Sequence, residues 1–302
     1  MPVFPRKPVL VPTDYSDASL QAIRVAKSVA GSDSDVTVVY VAQDADLILH
    51  PVTWTAGGLS EYQEERLLLG LRNWSKDHHL GDVNLVVRKG DPGTQVCELA
   101  DQMGCRLIVV PSHGRHGLPR LLMGSVAERI IRHCHCSVLV LHRTKDAVSV
   151  PTTDEGWFPR KRLVVPIDFS DVSSMAIETA LEIADQRSHI EVVSVVPTLD
   201  EAVFYGAEGT PAEVRQNTCQ EYMQRYLTEH GYLSLRTHVL IGDPGTMIAQ
   251  YASEVDGDLI VIPSHGRHGL KSWLLGSTTE RVMRHSATPV LVLRAGPKEF
   301  VG

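Results

Sequence analysis

The sequence lacks any long apolar run. Its longest apolar stretches are about five residues, such as Leu107–Pro111, whereas a membrane-spanning helix needs roughly 20. The opening, MPVFPRKPVLVPTD, holds no apolar core of secretory-signal length. A cytoplasmic protein without a membrane partner is therefore expected. Positive charge is not in excess either. The net charge is −7 and the pI about 6.0, which excludes a broad basic nucleic-acid surface while leaving room for one local anion pocket. Cysteine is scarce. Five in a chain of 302 is an odd number and makes no disulfide framework, so a reducing compartment is expected, with Cys97, Cys105 and Cys219 as packing residues. Catalytic signatures are missing as well: no G-x-x-x-x-G-K-[ST], G-x-G-x-x-G, H-E-x-x-H or G-x-S-x-G occurs.

What is present is a repeat. PSHGRHGL stands at 111–118 and again at 263–270. VPTDYSD at 11–17 answers VPIDFSD at 165–171, and GDPGT recurs at 90–94 and 242–246. LLMGSVAERIIRH at 121–133 answers LLGSTTERVMRH at 274–285, and SVLVLHR at 137–143 answers PVLVLRA at 289–295. Order and spacing are kept throughout, so the chain is a duplicated domain. The parsing is domain one at 1–145, a linker at 146–160 and domain two at 161–302. The linker region is polar and carries Pro151 and Pro159.

Within each half, short apolar runs alternate with helical patterns. In the first half, strands are expected at 8–12, 36–42, 83–89, 106–111 and 137–142. Helices are expected at 17–31, about 59–79, 93–104 and from Ser125 to His133. Residues 20, 22, 23, 26, 29 and 30 line one face of the first helix, Ser16 or Asp17 can cap its start, and Gly31 can end it. Near-continuous apolar strands alternating with helices indicate an α/β fold: two tandem open parallel five-stranded sheets, Rossmann-like, with helices on both faces.

In such a sheet the ligand sits beyond the carboxyl ends of the strands. Asp14 follows the first strand and PSHGRHGL the fourth, so both lie on that edge. Asp168 and the second PSHGRHGL repeat the arrangement. Gly124-Ser125 and Gly276-Ser277 each open a helix, whose free N–H groups and positive dipole end suit a phosphate. The same serines could instead cap their helices.

These marks together resemble the universal stress protein family, in tandem form. They are V-P-x-D-x-S-D after the first strand, G-D-P in the middle, S-H-G-x₉-G-S before the last helix, and the apolar ending after R-H. The resemblance covers nearly all of both halves. It implies a stress-response role and an adenine nucleotide, ATP or a relative, with magnesium as the ion that would accompany it. By matching position it implicates Pro12, Asp14, Val41, Gly114, Gly124, Ser125 and Val126 in the first half. In the second it implicates Pro166, Asp168, Val195, Gly266, Gly276, Ser277 and Thr278. It further implies a pseudo-dimer of the two halves through their last strands; a homodimer and a protein partner are also expected. Both halves depart from the family's G-x₂-G-x₉-G-S/T at its first glycine, which is Pro111 here and Pro263 there. Proline has no N–H to offer, and Arg115 and Arg267 stand nearby to compensate.

The run HCHC at 133–136 is too tightly spaced for structural zinc, and the second half reads HSAT at 285–288, so packing is expected rather than metal. His113 and His116 read as hydrogen-bonding or anion-contact residues. Three roles are weighed: a non-enzymatic nucleotide-binding regulator, a nucleotide-free interaction scaffold of the same fold, and a weak ATPase in which Asp14 activates water.

Overall fold

The computed structural model describes residues 7–43, 61–114, 123–142, 157, 160–198, 211–265 and 275–294. The chain divides into two compact units that part between Trp157 and Phe158. The first unit runs β1 (Val9–Thr13), α1 (Asp17–Ala30), β2 (Val36–Ala42), α2 (Glu61–Asp77), β3 (Asn84–Lys89), α3 (Pro92–Gln102), β4 (Leu107–Pro111), α4 (Ser125–His133) and β5 (Ser137–Leu141). Its strands lie in the order β3-β2-β1-β4-β5, and every pair is parallel.

The second unit repeats this plan with β6 (Leu163–Pro166), α5 (Asp171–Ile183), β7 (Ile190–Val196), α6 (Ala212–Glu229), β8 (Arg236–Ile241), α7 (Pro244–Glu254), β9 (Leu259–Pro263), α8 (Ser277–His285) and β10 (Val290–Leu293). Its order is β8-β7-β6-β9-β10, again parallel. Each is an open α/β sheet of five strands.

The sequence explains the elements. All seven residues of β2 are buried, as befits a strand covered on both faces. In α1 the positions expected to face inward are all buried. Ser16 caps its start, accepting from the Ser19 amide at 3.3 Å, and Gly31 ends it in the left-handed region with φ +78°. Two outward steps of the chain followed by two in the opposite direction, each right-handed, put α1 and α2 on one face and α3 and α4 on the other. Accordingly α3 packs against α4, and α7 against α8. Ile130 and Ile131 of α4 are fully buried, each contributing about 1.5–3 kcal/mol of apolar burial.

The repeated GDPGT is the joint of that helix pair. Asp91 caps α3, accepting from the amide and hydroxyl of Thr94, both at 2.9 Å, and Pro92 takes the first helical turn. Arg129 of α4 reaches back to Asp91 at 2.7 Å. A Cβ on Gly93 would lie 2.7 Å from the Cβ of Arg129, so only glycine lets the helices approach this closely. Gly245 meets Arg281 in the same way, and Arg281 pairs with Asp243.

Two expectations need correcting. Cys97 of α3 is bonded to Cys134, the residue after α4; it is not a lone packing residue. Trp157, in the stretch read as a polar linker, is 2 % exposed, and its amide donates to Ser28 Oγ on α1 at 2.6 Å. A large indole escapes water there.

Candidate functional site

The direction of strand addition reverses between β1 and β4, and between β6 and β9. That reversal is where open α/β sheets hold ligands. The two central strands pair only at Val9–Leu107 and Leu10–Ile108 before separating toward their carboxyl ends. Leu163–Leu259 and Val164–Ile260 are the matching pairs of the second unit. A crevice opens beyond them.

Asp14 stands at its mouth. Thr13 pairs with Tyr40, so Asp14 and Val41 occupy the next register position. Pro12 lies on the same strand end. Asp14 Oδ1 accepts from the amide and hydroxyl of Ser16 at 3.1 and 2.5 Å, which fixes the carboxylate. Across the crevice, a Cβ on Gly114 would fall 2.5 Å from Asp14 Oδ2; the two are in contact because Gly114 has none. In the second unit Pro166 pairs with Val193, placing Asp168 level with Val195. Asp168 Oδ1 accepts from Ser170 and from Ser173 Oγ at 3.0 Å.

The other wall is a helix start. Gly124 and Gly276, not the serines after them, are the cap residues of α4 and α8, and neither helix has a side-chain cap bond. The capping reading of Ser125 and Ser277 therefore fails; both are exposed first-turn residues. The glycine amides are themselves engaged, each donating at 2.8 Å to Ser112 or Ser264. The first intrahelical bonds run from Glu128 to Gly124 and from Glu280 to Gly276. The amides of Ser125 and Val126, and of Ser277 and Thr278, therefore precede any intrahelical acceptor. A Cβ on Gly124 would stand 3.2 Å from the Ser112 carbonyl, so glycine also keeps this corner narrow.

The prolines sit where they cost the sheet nothing. Ile260 and Ser264 donate to Pro289 and Leu293 beside β10. By alternation Pro263 faces β6, where pairing has ended. Ser112 likewise donates to Leu141 at 2.9 Å, turning Pro111 toward β1. The missing N–H is subtracted from the crevice and not from the ladder.

The sequence reading missed the residues behind the aspartates. Tyr15 and Phe169 adopt φ +65° and +62°, a strained region for bulky residues. This turn leaves the carboxylate in the crevice and packs the ring behind it. Tyr15 contacts Tyr40 and Trp74 at 4.8 and 5.4 Å. Phe169 contacts Tyr222 and Tyr226 at 4.8 and 5.7 Å. Burial, then the Asp168 charge, pushes the Tyr226 hydroxyl up. The only signal was an aromatic after Asp in both copies. Each PSH also forms a pair: Ser112 Oγ lies 3.0 Å from His113 Nδ1 and Ser264 Oγ 2.7 Å from His265 Nδ1. Burial, with Arg294 adding its charge, holds His265 below the ordinary imidazole range.

Arg115, His116, Gly266 and Arg267 lie outside the described residues. Among the described residues no group of three or more His, Cys, Asp or Glu is placed to hold a metal ion. Nor does any described helix have the length and apolarity to cross a membrane.

A universal stress protein of Mycobacterium bovis is 29% identical over 313 residues, covering 96% of this chain and 98% of its own. One from Methanocaldococcus jannaschii is 33% identical over 142 residues, 46% of this chain and 84% of that protein. The crystal structure of a universal stress protein from Archaeoglobus fulgidus superimposes with a TM-score of 0.60 at 21% identity, covering 98% of this chain and 99% of that one. The description "Universal stress protein family" matches residues 5–142 and again 159–294. With both halves matched, the chain belongs to the universal stress protein family.

Proposed function

We propose that each half binds an adenine nucleotide of the ATP type at the carboxyl ends of its strands, and that occupancy regulates the protein without turnover. Occupancy would alter its preference for a protein partner or for a second copy of the chain, in the cytoplasm. One observation carries the reading. In both units a helix begins on an uncapped glycine beside a fixed aspartate, across the gap where the central strands part. The amides of Ser125 and Val126, and of Ser277 and Thr278, suit phosphate oxygens. Asp14 and Asp168 suit a ribose hydroxyl. Gly114, Gly266, Arg115 and Arg267 belong to the same wall by sequence position, and Val41 and Val195 to the base side.

A second reading has its own support. Pro111 and Pro263 withdraw one donor each from the crevice, as expected of an interaction scaffold that has lost its nucleotide. Mass spectrometry of the purified protein under native conditions, followed by calorimetric titration with ATP, separates the two. A co-purifying adenine nucleotide, with binding weakened at least ~10-fold by Asp14→Ala plus Asp168→Ala, a loss of about 1.4 kcal/mol, is the result expected. A chain that emerges empty and takes up no ATP, ADP or AMP overturns the nucleotide reading in favour of the scaffold.

A further inference from the structure

Four of the five cysteines gather in one place, and only in the first unit. Cys97 is joined to Cys134. Two residues on, Cys136 precedes β5, and Leu107–Ser137 is the first pair of the β4–β5 ladder. That register sets Cys136 beside Arg106 and Cys105. The two thiols are near enough for each to shift the other's titration. Cys105 is 8 % exposed and also lies 3.1 Å from the Leu107 carbonyl, whereas Cys136 is partly open to solvent. The second unit shares the fold and the crevice but has Ala249, Gly257, Ser286 and Thr288 at the four corresponding places. The fold therefore does not need the sulfurs. In a reducing cytoplasm, moreover, a cysteine pair that closes is usually catalytic or redox-sensing.

We propose that Cys105 and Cys136 form a peroxide-reactive dithiol that closes into a second disulfide beside Cys97–Cys134. Its neighbour Cys136 draws the Cys105 thiol below its ordinary range, while Cys105 and burial push the Cys136 thiol up. Cys136, the member open to solvent, gives up its proton to water and its sulfur attacks a hydroperoxide while Cys105 keeps its own proton. The O–O bond breaks, the alcohol or water leaves, and Cys136 becomes a sulfenic acid. The Cys105 sulfur then attacks Cys136 Sγ and expels hydroxide, which takes the Cys105 proton and departs as water. Two thiols lose two electrons, and the peroxide gains them.

The test uses the full chain prepared without reductant. Alkylation under denaturing conditions counts free thiols, and peptide mass spectrometry maps the bridges before and after a stoichiometric pulse of hydrogen peroxide. Three free thiols are present at the start. Closure of one bridge takes two of them, so the count falls to one, Cys219, with Cys105 linked to Cys136. Cys136→Thr, the residue the second unit carries as Thr288, should hold its two remaining thiols unchanged through the pulse. Cys105 and Cys136 still fully alkylated afterwards, stranded as sulfinic acids, or bridged to any other cysteine would overturn the proposal, and the wild-type map decides this even if the variant folds poorly.

Discussion

Restoring glycine at positions 111 and 263 is a test with a computable size. Each proline turns its nitrogen toward the neighbouring central strand, at a level where that strand has already peeled away. Pro111→Gly with Pro263→Gly would thus aim a new N–H into each crevice and leave the ladder untouched. A hydrogen bond to a charged phosphate is worth roughly 1.5–3 kcal/mol. Holding the freer glycine still costs about 0.5–1 kcal/mol. The difference, about 0.5–2.5 kcal/mol, is a gain of roughly twofold to seventyfold in ATP affinity per site. The same substitutions should lower unfolding stability by about 0.5–1 kcal/mol each, because the unfolded chain gains freedom. Isothermal titration gives the first number and urea unfolding the second. Stability that drops as expected, with ATP affinity unmoved, would show that phosphates do not touch this wall, and the site would have to be placed elsewhere.

Other outcomes follow from the same geometry. Gly124→Val with Gly276→Val pushes a branched side chain toward the Ser112 and Ser264 carbonyls, 3.2 Å from where a Cβ would sit; titration should show at least ~10-fold weaker nucleotide binding, with the near-native circular dichroism of a folded chain. Gly93→Ala and Gly245→Ala overpack the helix joints, with Cβ atoms 2.7 and 2.2 Å from arginine Cβ atoms, and should each cost about 1–3 kcal/mol in urea unfolding. The Thr94 amide, with Arg129 adding its charge, holds the Asp91 carboxyl below the ordinary range. A depressed folded-state value means that its stabilisation is whole above about pH 4 and fades as pH falls through the folded pKa. Asp91→Asn should therefore flatten the acid limb of the stability curve, and an unaltered limb would show the cap to be immaterial.

Much of this architecture is legible from patterning. Strand β2 falls at 36–42 as the apolar run requires, and the helix expected at about 59–79 is described over 61–77. The crevice was legible because Asp14 and PSHGRHGL both follow strands, and a parallel sheet sends all its strand ends to one edge. What escaped was whatever depends on a dihedral or a distant contact. Nothing in a helix-opening Gly-Ser says which residue is the cap, since serine is the better cap by chemistry; the Ser112 carbonyl takes the Gly124 amide and settles it. A separation of 37 residues between Cys97 and Cys134 carries no pairing information until α3 and α4 are known to pack. Trp157 looked like linker because the stretch around it is largely polar and carries Pro151 and Pro159; its backbone amide on Ser28 of α1 and its burial appear only in the fold.

The aromatic backing of the two aspartates has a practical consequence. Trp74 touches Tyr15, the residue after Asp14, and the corresponding position in the other copy is Tyr226, against Phe169. Light at the red edge of the ultraviolet band excites indole and passes phenol by, so among the described residues the first crevice carries an emitter that the second does not. With Trp54 and Trp273 replaced by phenylalanine, and the Trp157 emission left as a constant background, quenching would report the filling of one copy alone. The duplicated protein is in this sense optically labelled by its own sequence, and the order in which its two halves fill could be followed in real time without attaching a dye.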